Sequence, residues 1–277
     1  MDTRDTSAIT RLGRAPLALC LGTALAVGST CAGAADAPRL PIPLRSGEVL
    51  PAHRLPNAVI GPRLHHDTPH PDGGIVIPVT SCADDGSDGT LRHAVLVAST
   101  GDTVDLTALT CSTITLESGA ISVDVDDLDI VGPGADALAI DGVYADRVIR
   151  HGGVGELSIS SVTLTHGSYT TPATPTDLRG GGCLYSAGDL SLFGVVVSDC
   201  ALSGDTYIVG GGVLALGNVV MFNSTVRHSS AVALVGGTPS SAVGGGVVAV
   251  GQLVFEHSTM SGNLASTAAG NAYAGGG

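Results

Sequence analysis

The chain has 277 residues, 40 of them Gly, with 44% hydrophobic residues but only 3% aromatics and no Trp. Its formal charge is −13, and all 12 of its Lys and Arg positions are Arg. So acidic a chain offers few cations to displace the counterions of nucleic acid, which leaves solubility as the first use of the charge, and the lack of a three-residue Gly period excludes collagen.

Arg4, Arg11 and Arg14 precede an apolar run from Ala15 to Val27, and small residues follow up to Ala32-Gly33-Ala34. A charged start, an apolar stretch and an A-x-A site make a signal peptide over 1–34, cleaved after Ala34. The apolar run is too short to span a bilayer, and no later segment is long enough. The mature chain is therefore expected to be exported from a bacterium, either secreted or held at the outer membrane or cell surface. Eight Pro lie between Asp36 and Gly74. Residues 35–78 accordingly read as a Pro-rich, poorly ordered linker.

Cleavage leaves Cys82, Cys111, Cys183 and Cys200. An even number in an exported chain fits disulfides. Sequence proximity favours Cys82 with Cys111 and Cys183 with Cys200, and four buried thiols are the alternative.

The cap is expected over 79–110. Asp88-Gly89-Thr90 is rich in helix-start residues, and Leu91, Ala94, Val95 and Ala98 follow at helical spacing before Ser99-Thr100-Gly101 stops the pattern. Gly101 to Leu106 then alternates like a strand.

From there the chain repeats itself, with coils expected over 111–277. Four ten-residue stretches start at Gly155, Gly188, Gly217 and Gly251 and align without gaps. The third place holds Leu157, Leu190, Val219 and Leu253; the fifth holds Ile159, Leu192, Met221 and Phe255; the tenth is apolar too. Gly triplets at 180–182, 210–212 and 244–246 precede three of them. Ser168–Arg179, Ser203–Val209 and Gly236–Val243 read as loops, being rich in Ser, Thr, Gly and Pro. Val, Leu, Ile and Ala interleaved with Gly suit short strands and tight turns. Such a unit cannot bury its apolar face alone, but it can when stacked on a copy of itself. The predicted fold is all-β, a right-handed parallel β-helix solenoid with an N-terminal capping helix; a β-sandwich would not need equal-phase matches at coil after coil. Gly275–Gly277 should open another coil, so the solenoid is expected to be C-terminally incomplete.

The block Asp85-Gly-Ser-Asp-Gly-Thr-Leu-Arg-His-Ala-Val95, followed by Gly101-Asp-Thr-Val104, resembles the N-terminal cap of bacterial CSLREA-type and choice-of-anchor β-helix proteins. The Gly-triplet repeats are similar to those of secreted β-helix proteins of the pectin-lyase-like superfamily and, in part, to polymorphic outer-membrane protein repeats. The resemblance covers roughly residues 79 to 277. It implies fold and export. Its members include lyases, hydrolases, adhesins and autotransporter passengers, so it does not transfer one function.

In aligned coils, equal positions stack. Asp127, Glu156 and Asp189 share one place and Asp129 lies beside Asp127, so these four predict an outward acidic patch that could hold Ca²⁺. Arg147 and Arg150 are the nearest candidates for a lyase base, with nothing in the sequence to place them at the patch. His166, His228 and His257 fall near coil corners without sharing one place, against a metal site. No catalytic constellation emerges. The expected function is adhesion or glycan binding without catalysis, with a polysaccharide or a host or cell-surface glycan as partner. The alternative is a polysaccharide lyase or glycoside hydrolase.

Overall fold

A computed structural model of the chain describes residues 74–171, 180–205, 207–234, 240–267 and 270–273. The signal peptide expected over 1–34, the linker up to residue 73 and the Gly275–Gly277 triplet lie outside the described residues.

The described chain is all-β apart from one short helix, and its strands form five parallel sheets. In each sheet a strand's neighbour is its counterpart in an adjacent coil. Sheet A holds Val76–Pro78, Asp102–Asp105, Leu128–Val131, Glu156–Ser160, Asp189–Phe193, Val219–Phe222 and Leu253–Glu256. Sheet B runs from Thr113–Thr115 to Thr259–Ser261, and sheet C from Ile121–Val123 to Val247–Ala249. The alternation read from the sequence sets the register. Leu157 pairs with Leu190 and Ile159 with Leu192, and Val219 pairs with Leu253. These residues point into a core of Leu, Ile and Val in which no aromatic ranks among the largest fully buried side chains. Inward direction alone does not bury them. Val219 and Met221 are 0% exposed under a following coil, whereas Leu253 and Phe255, in the last described coil, are 39% and 37% exposed. Each coil is buried by its neighbours, as stacking requires.

Val76–Pro78 already belongs to sheet A, although those residues fall in the stretch that reads as linker. Its run of apolar β-formers outweighs the Pro, which is tolerated because this is an edge strand. Leu91–Val97 forms the expected helix, N-capped by Thr90, whose hydroxyl accepts from His93 N. Leu91, Ala94 and Val95 turn inward and close the first end of the core. The disulfide Cys82–Cys111 ties this cap to the first coil. Asp84 does so again. Its buried carboxylate receives Nε and Nη2 of Arg92, each at 2.8 Å, and the backbone N–H groups of Glu117 and Ser118 at 2.7 and 3.1 Å. Arg92 also donates to the carbonyls of Gly119 and Ala120 at 2.7 and 3.0 Å.

Three segments that read as loops prove to contain strands. Ser168–Thr171, Ala201–Gly204, Ser230–Ala233 and Leu264–Thr267 form one lateral sheet, and Tyr207–Val209, Ser240–Val243 and Gly270–Tyr273 form a second. Leu202, Ile208, Ala231, Ala233, Ala242 and Ala265 make a small core of their own, with Tyr169 packed against it. Weak strand formers such as Ala, Ser and Gly are recruited because side-chain fit and pairing override propensity. Where the chain re-enters the tube, Cys183 aligns with Gly212, since Leu184 pairs with Val213. The triplet 180–182 is therefore shifted by one place from 210–212, and Cys183 stands where the next coil has Gly. It is joined to Cys200, the residue that leads into a lateral strand. Both disulfides are the sequence-local pairs among the three possible pairings.

Two rows of left-handed residues turn the chain. Ser161, Gly194, Asn223 and His257 connect sheet A to sheet B, with φ of 55°, 63°, 49° and 51°. His166, Asp199, His228 and Gly262 follow sheet B, with φ of 52°, 56°, 52° and 63°. The three histidines do not share one place: His166 and His228 stand in one row, with Asp199 between them, and His257 stands in the other. The shared row keeps the phase of the aligned stretches, with His166, Asp199, His228 and Gly262 each 11 residues after Gly155, Gly188, Gly217 and Gly251.

Candidate functional site

Sheet A presents a grid of outward side chains, because alternate residues of each strand face solvent once the Leu and Ile positions face the core. Its first column holds Asp127, Glu156, Asp189, Asn218 and Gln252. The middle column is Thr103, Asp129, Ser158, Ser191, Val220 and Val254. The last is Asp105, Val131, Ser160, Phe193, Phe222 and Glu256.

All four residues predicted for the acidic patch lie on this face. Their carboxylates carry structural bonds as well as charge. Asp127 Oδ1 accepts from Glu156 N at 2.8 Å and Asp189 Oδ1 from Asn218 N at 2.7 Å; Asn218 Oδ1 continues the pattern by accepting from Gln252 N at 2.9 Å. Glu156 accepts from the Ser191 hydroxyl. Asp127, Asp189 and Asn218 at the strand start thus cap an N–H group of the next coil, while Glu156 takes the Ser191 hydroxyl instead. Among the described residues, no group of three or more His, Cys, Asp or Glu is placed to hold a metal ion.

The cations lie elsewhere. The Arg147 guanidinium, 7% exposed, sits 3.3 Å from the centre of the Tyr169 ring, and its Nε donates to Gly180 O and Gly181 O at 3.1 and 2.9 Å. Burial lowers its pKa from the ordinary value, with Tyr169 opposing the shift. Its place is structural, since it covers the first strand of the lateral layer. Arg150 reaches Asp124 at 3.5 Å, Arg92 is held in the cap, and Arg227 faces outward on sheet B. No described Arg belongs to the outward grid of sheet A.

Two further groups are internal. His151, 0% exposed, has Nε2 within 3.0 and 3.1 Å of Val125 O and Asp126 O, so that nitrogen donates, while Nδ1 lies 2.8 Å from Ser186 Oγ. Neither His151 nor Ser186 reaches the surface. Asp141 contacts His166 Nδ1 at 3.0 Å and Asp199 contacts His228 Nδ1 at 3.7 Å along the corner row.

The feature missed in the sequence is the aromatic pair in the last column. Phe193 and Phe222 pair directly across adjacent coils, both half-buried, and His257 meets Phe222 edge-on at 5.4 Å. Only three Phe exist in the chain, and two of them point outward from a core that is built without aromatics. The signal was present in the sixth place of the aligned stretches, where Ser160, Phe193, Phe222 and Glu256 stand. Among the described residues, no helix is long and apolar enough to cross a membrane. No protein-family model, curated protein or solved structure matches the chain.

Proposed function

We propose that this chain is an exported β-helix of the pectin-lyase-like kind that binds glycans or adheres through them, without turning them over. Right-handed winding is part of the proposal, supported by the rule that parallel crossovers are right-handed in about 98% of cases. Export is supported by the N-terminal pattern and by two disulfides, which persist in oxidising compartments. Placement at the cell surface or in the medium follows from that.

The observation that carries the binding reading is the outward Phe193–Phe222 pair with His257 at its edge. Outward aromatic rings offer an apolar platform to the C–H face of a sugar ring, and Asn223 and Glu256 supply polar neighbours for its hydroxyls. A lyase or hydrolase would instead need an acid set beside a cation or a second acid. On sheet A, Asp127, Glu156 and Asp189 stand one strand apart, but each is hydrogen-bonded within the face, and no described Arg lies beside them.

The test is a binding measurement on immobilised polysaccharides with the Phe193→Ala, Phe222→Ala double variant. Each ring is worth about 0.5–1.5 kcal/mol of contact, so retention should fall roughly tenfold. Far-UV circular dichroism should be unchanged. Release of new chain ends by the unaltered protein would overturn the non-catalytic reading, and equal retention by the variant would remove the Phe pair from it.

A further inference from the structure

We propose that the outer face of sheet A selects glycans bearing protonated amino groups and turns polyuronates away. The inference rests on the glycan-binding reading and adds the chemical class of the ligand. Its basis is charge complementarity across one continuous face. Around the Phe pair the grid carries Asp105, Asp127, Asp129, Glu156, Asp189 and Glu256, and no described Arg. Glu256 is the next-coil partner of Phe222, about 4.8 Å along the stack. Asp189 shares a strand with Phe193, four residues and about 13 Å away. A sugar resting on the Phe pair therefore lies within one Debye length, about 10 Å at 0.1 M salt, of Glu256, while a hexasaccharide extending along the strand from the pair reaches the columns that hold Asp189 and Glu156.

No described cation on this face opposes that field, and the chain as a whole contains no Lys and has a net charge of −13. Among the described residues, Arg92 and Arg150 are paired with acids, Arg147 is buried under Tyr169, and Arg227 faces outward on sheet B rather than sheet A. A polymer with a carboxylate on every sugar would bring like charge onto like charge, with no described cation on this face to bridge them. One with protonated amines would gain an attractive contact at each of several coils, while its ring faces still use the aromatic platform. Hydrogen bonding of Asp127, Glu156 and Asp189 within the face leaves their negative charge in place, so the structural bonds and the selectivity coexist.

The experiment compares the intact protein's affinity for three hexasaccharides in mildly acidic buffer: glucosamine, N-acetylglucosamine and galacturonate. A second protein carries Glu156→Gln, Asp189→Asn and Glu256→Gln, amides that keep the acceptors for Ser191 and Asn218. The expected order is glucosamine, then N-acetylglucosamine, with galacturonate unbound. Glucosamine binding should weaken about tenfold in the triple variant, as for three exposed charges, and should also weaken between low and about 1 M salt, where the Debye length falls to about 3 Å. N-acetylglucosamine binding should stay constant through both changes. Equal affinity for the two amino sugars, or preference for galacturonate, overturns the charge selection and leaves glycan binding standing. Loss of all three ligands overturns both.

Discussion

Replacing Arg92 with Met should destabilise the N-terminal end of the solenoid by about 3–5 kcal/mol. Met fills much of the space of the Arg stem, so lost packing is a minor part of the effect. What matters is the Asp84 side chain, which is 0% exposed and keeps only the Glu117 and Ser118 N–H groups when the guanidinium is gone. A buried carboxylate without its counter-charge is far worse off than a buried pair. The Asp84→Asn, Arg92→Met double variant removes that charge and keeps an acceptor for the Glu117 N–H. It should recover a substantial part of the loss, a coupling on the order of 1–3 kcal/mol. Urea unfolding gives the total. Hydrogen exchange gives its location, because coils contact only their neighbours. Protection should fall first at Asp102–Asp105 and Ile121–Val123 and last at Val213–Ala215. A loss under about 1 kcal/mol would mean that Asp84 and Arg92 act as a surface pair does.

The same residues show how far the sequence could be read. Leu91, Ala94 and Val95 announced the helix because its period of 3.6 is local, and Leu157 with Ile159 announced sheet A because the period of two is local as well. Equal phase from Gly155 to Gly251 then carried the stacking. The pairing of Cys183 with Cys200 was favoured by proximity alone, and its place where Gly212 and Gly246 occur became visible only with the strand register. Arg92 sat in plain view within the cap motif, yet its partners Asp84, Gly119 and Ala120 are set by how the first coil closes. The lateral strands were hidden for a different reason. Ala201–Gly204 and Ser240–Val243 have the composition of loops, and only pairing with the same segment of the next coil makes them strands. The corner row of His166, Asp199 and His228 is legible once the ten aligned places are carried two residues further, because the coils change length only after it. On sheet A the acidic patch could be read from alignment, and the Phe pair could have been read from the same alignment by asking which places face outward.

The glycine triplets give the other large expected effect, and they separate two reasons for glycine that the sequence cannot distinguish. Gly211 lies where two coils approach closely: a Cβ there would stand 2.2 Å from Gly245 O and 2.5 Å from the carbonyl carbon of Ser230. Both neighbours are backbone, held in place by parallel pairing, so no side chain can swing aside. Gly211→Ala should therefore lose roughly 4 kcal/mol or more, at the exceptional end for one methyl group. Gly194, unlike Gly211, has a positive φ, 63°, but the nearest atom to its Cβ is Ser161 Oγ at 4.0 Å, and its row already contains Ser161, Asn223 and His257. At that place Gly answers only to backbone conformation, which Asn adopts with little penalty. Gly194→Asn should thus change stability by no more than about 1 kcal/mol. Urea midpoints of the two variants measure the contrast directly. If Gly194→Asn were as damaging as Gly211→Ala, the left-handed corner would require Gly itself, against the Ser, Asn and His that occupy the same row. If both were mild, the coils would have to part readily at the triplets, against the unbroken parallel register from Leu184 through Val213 to Val247.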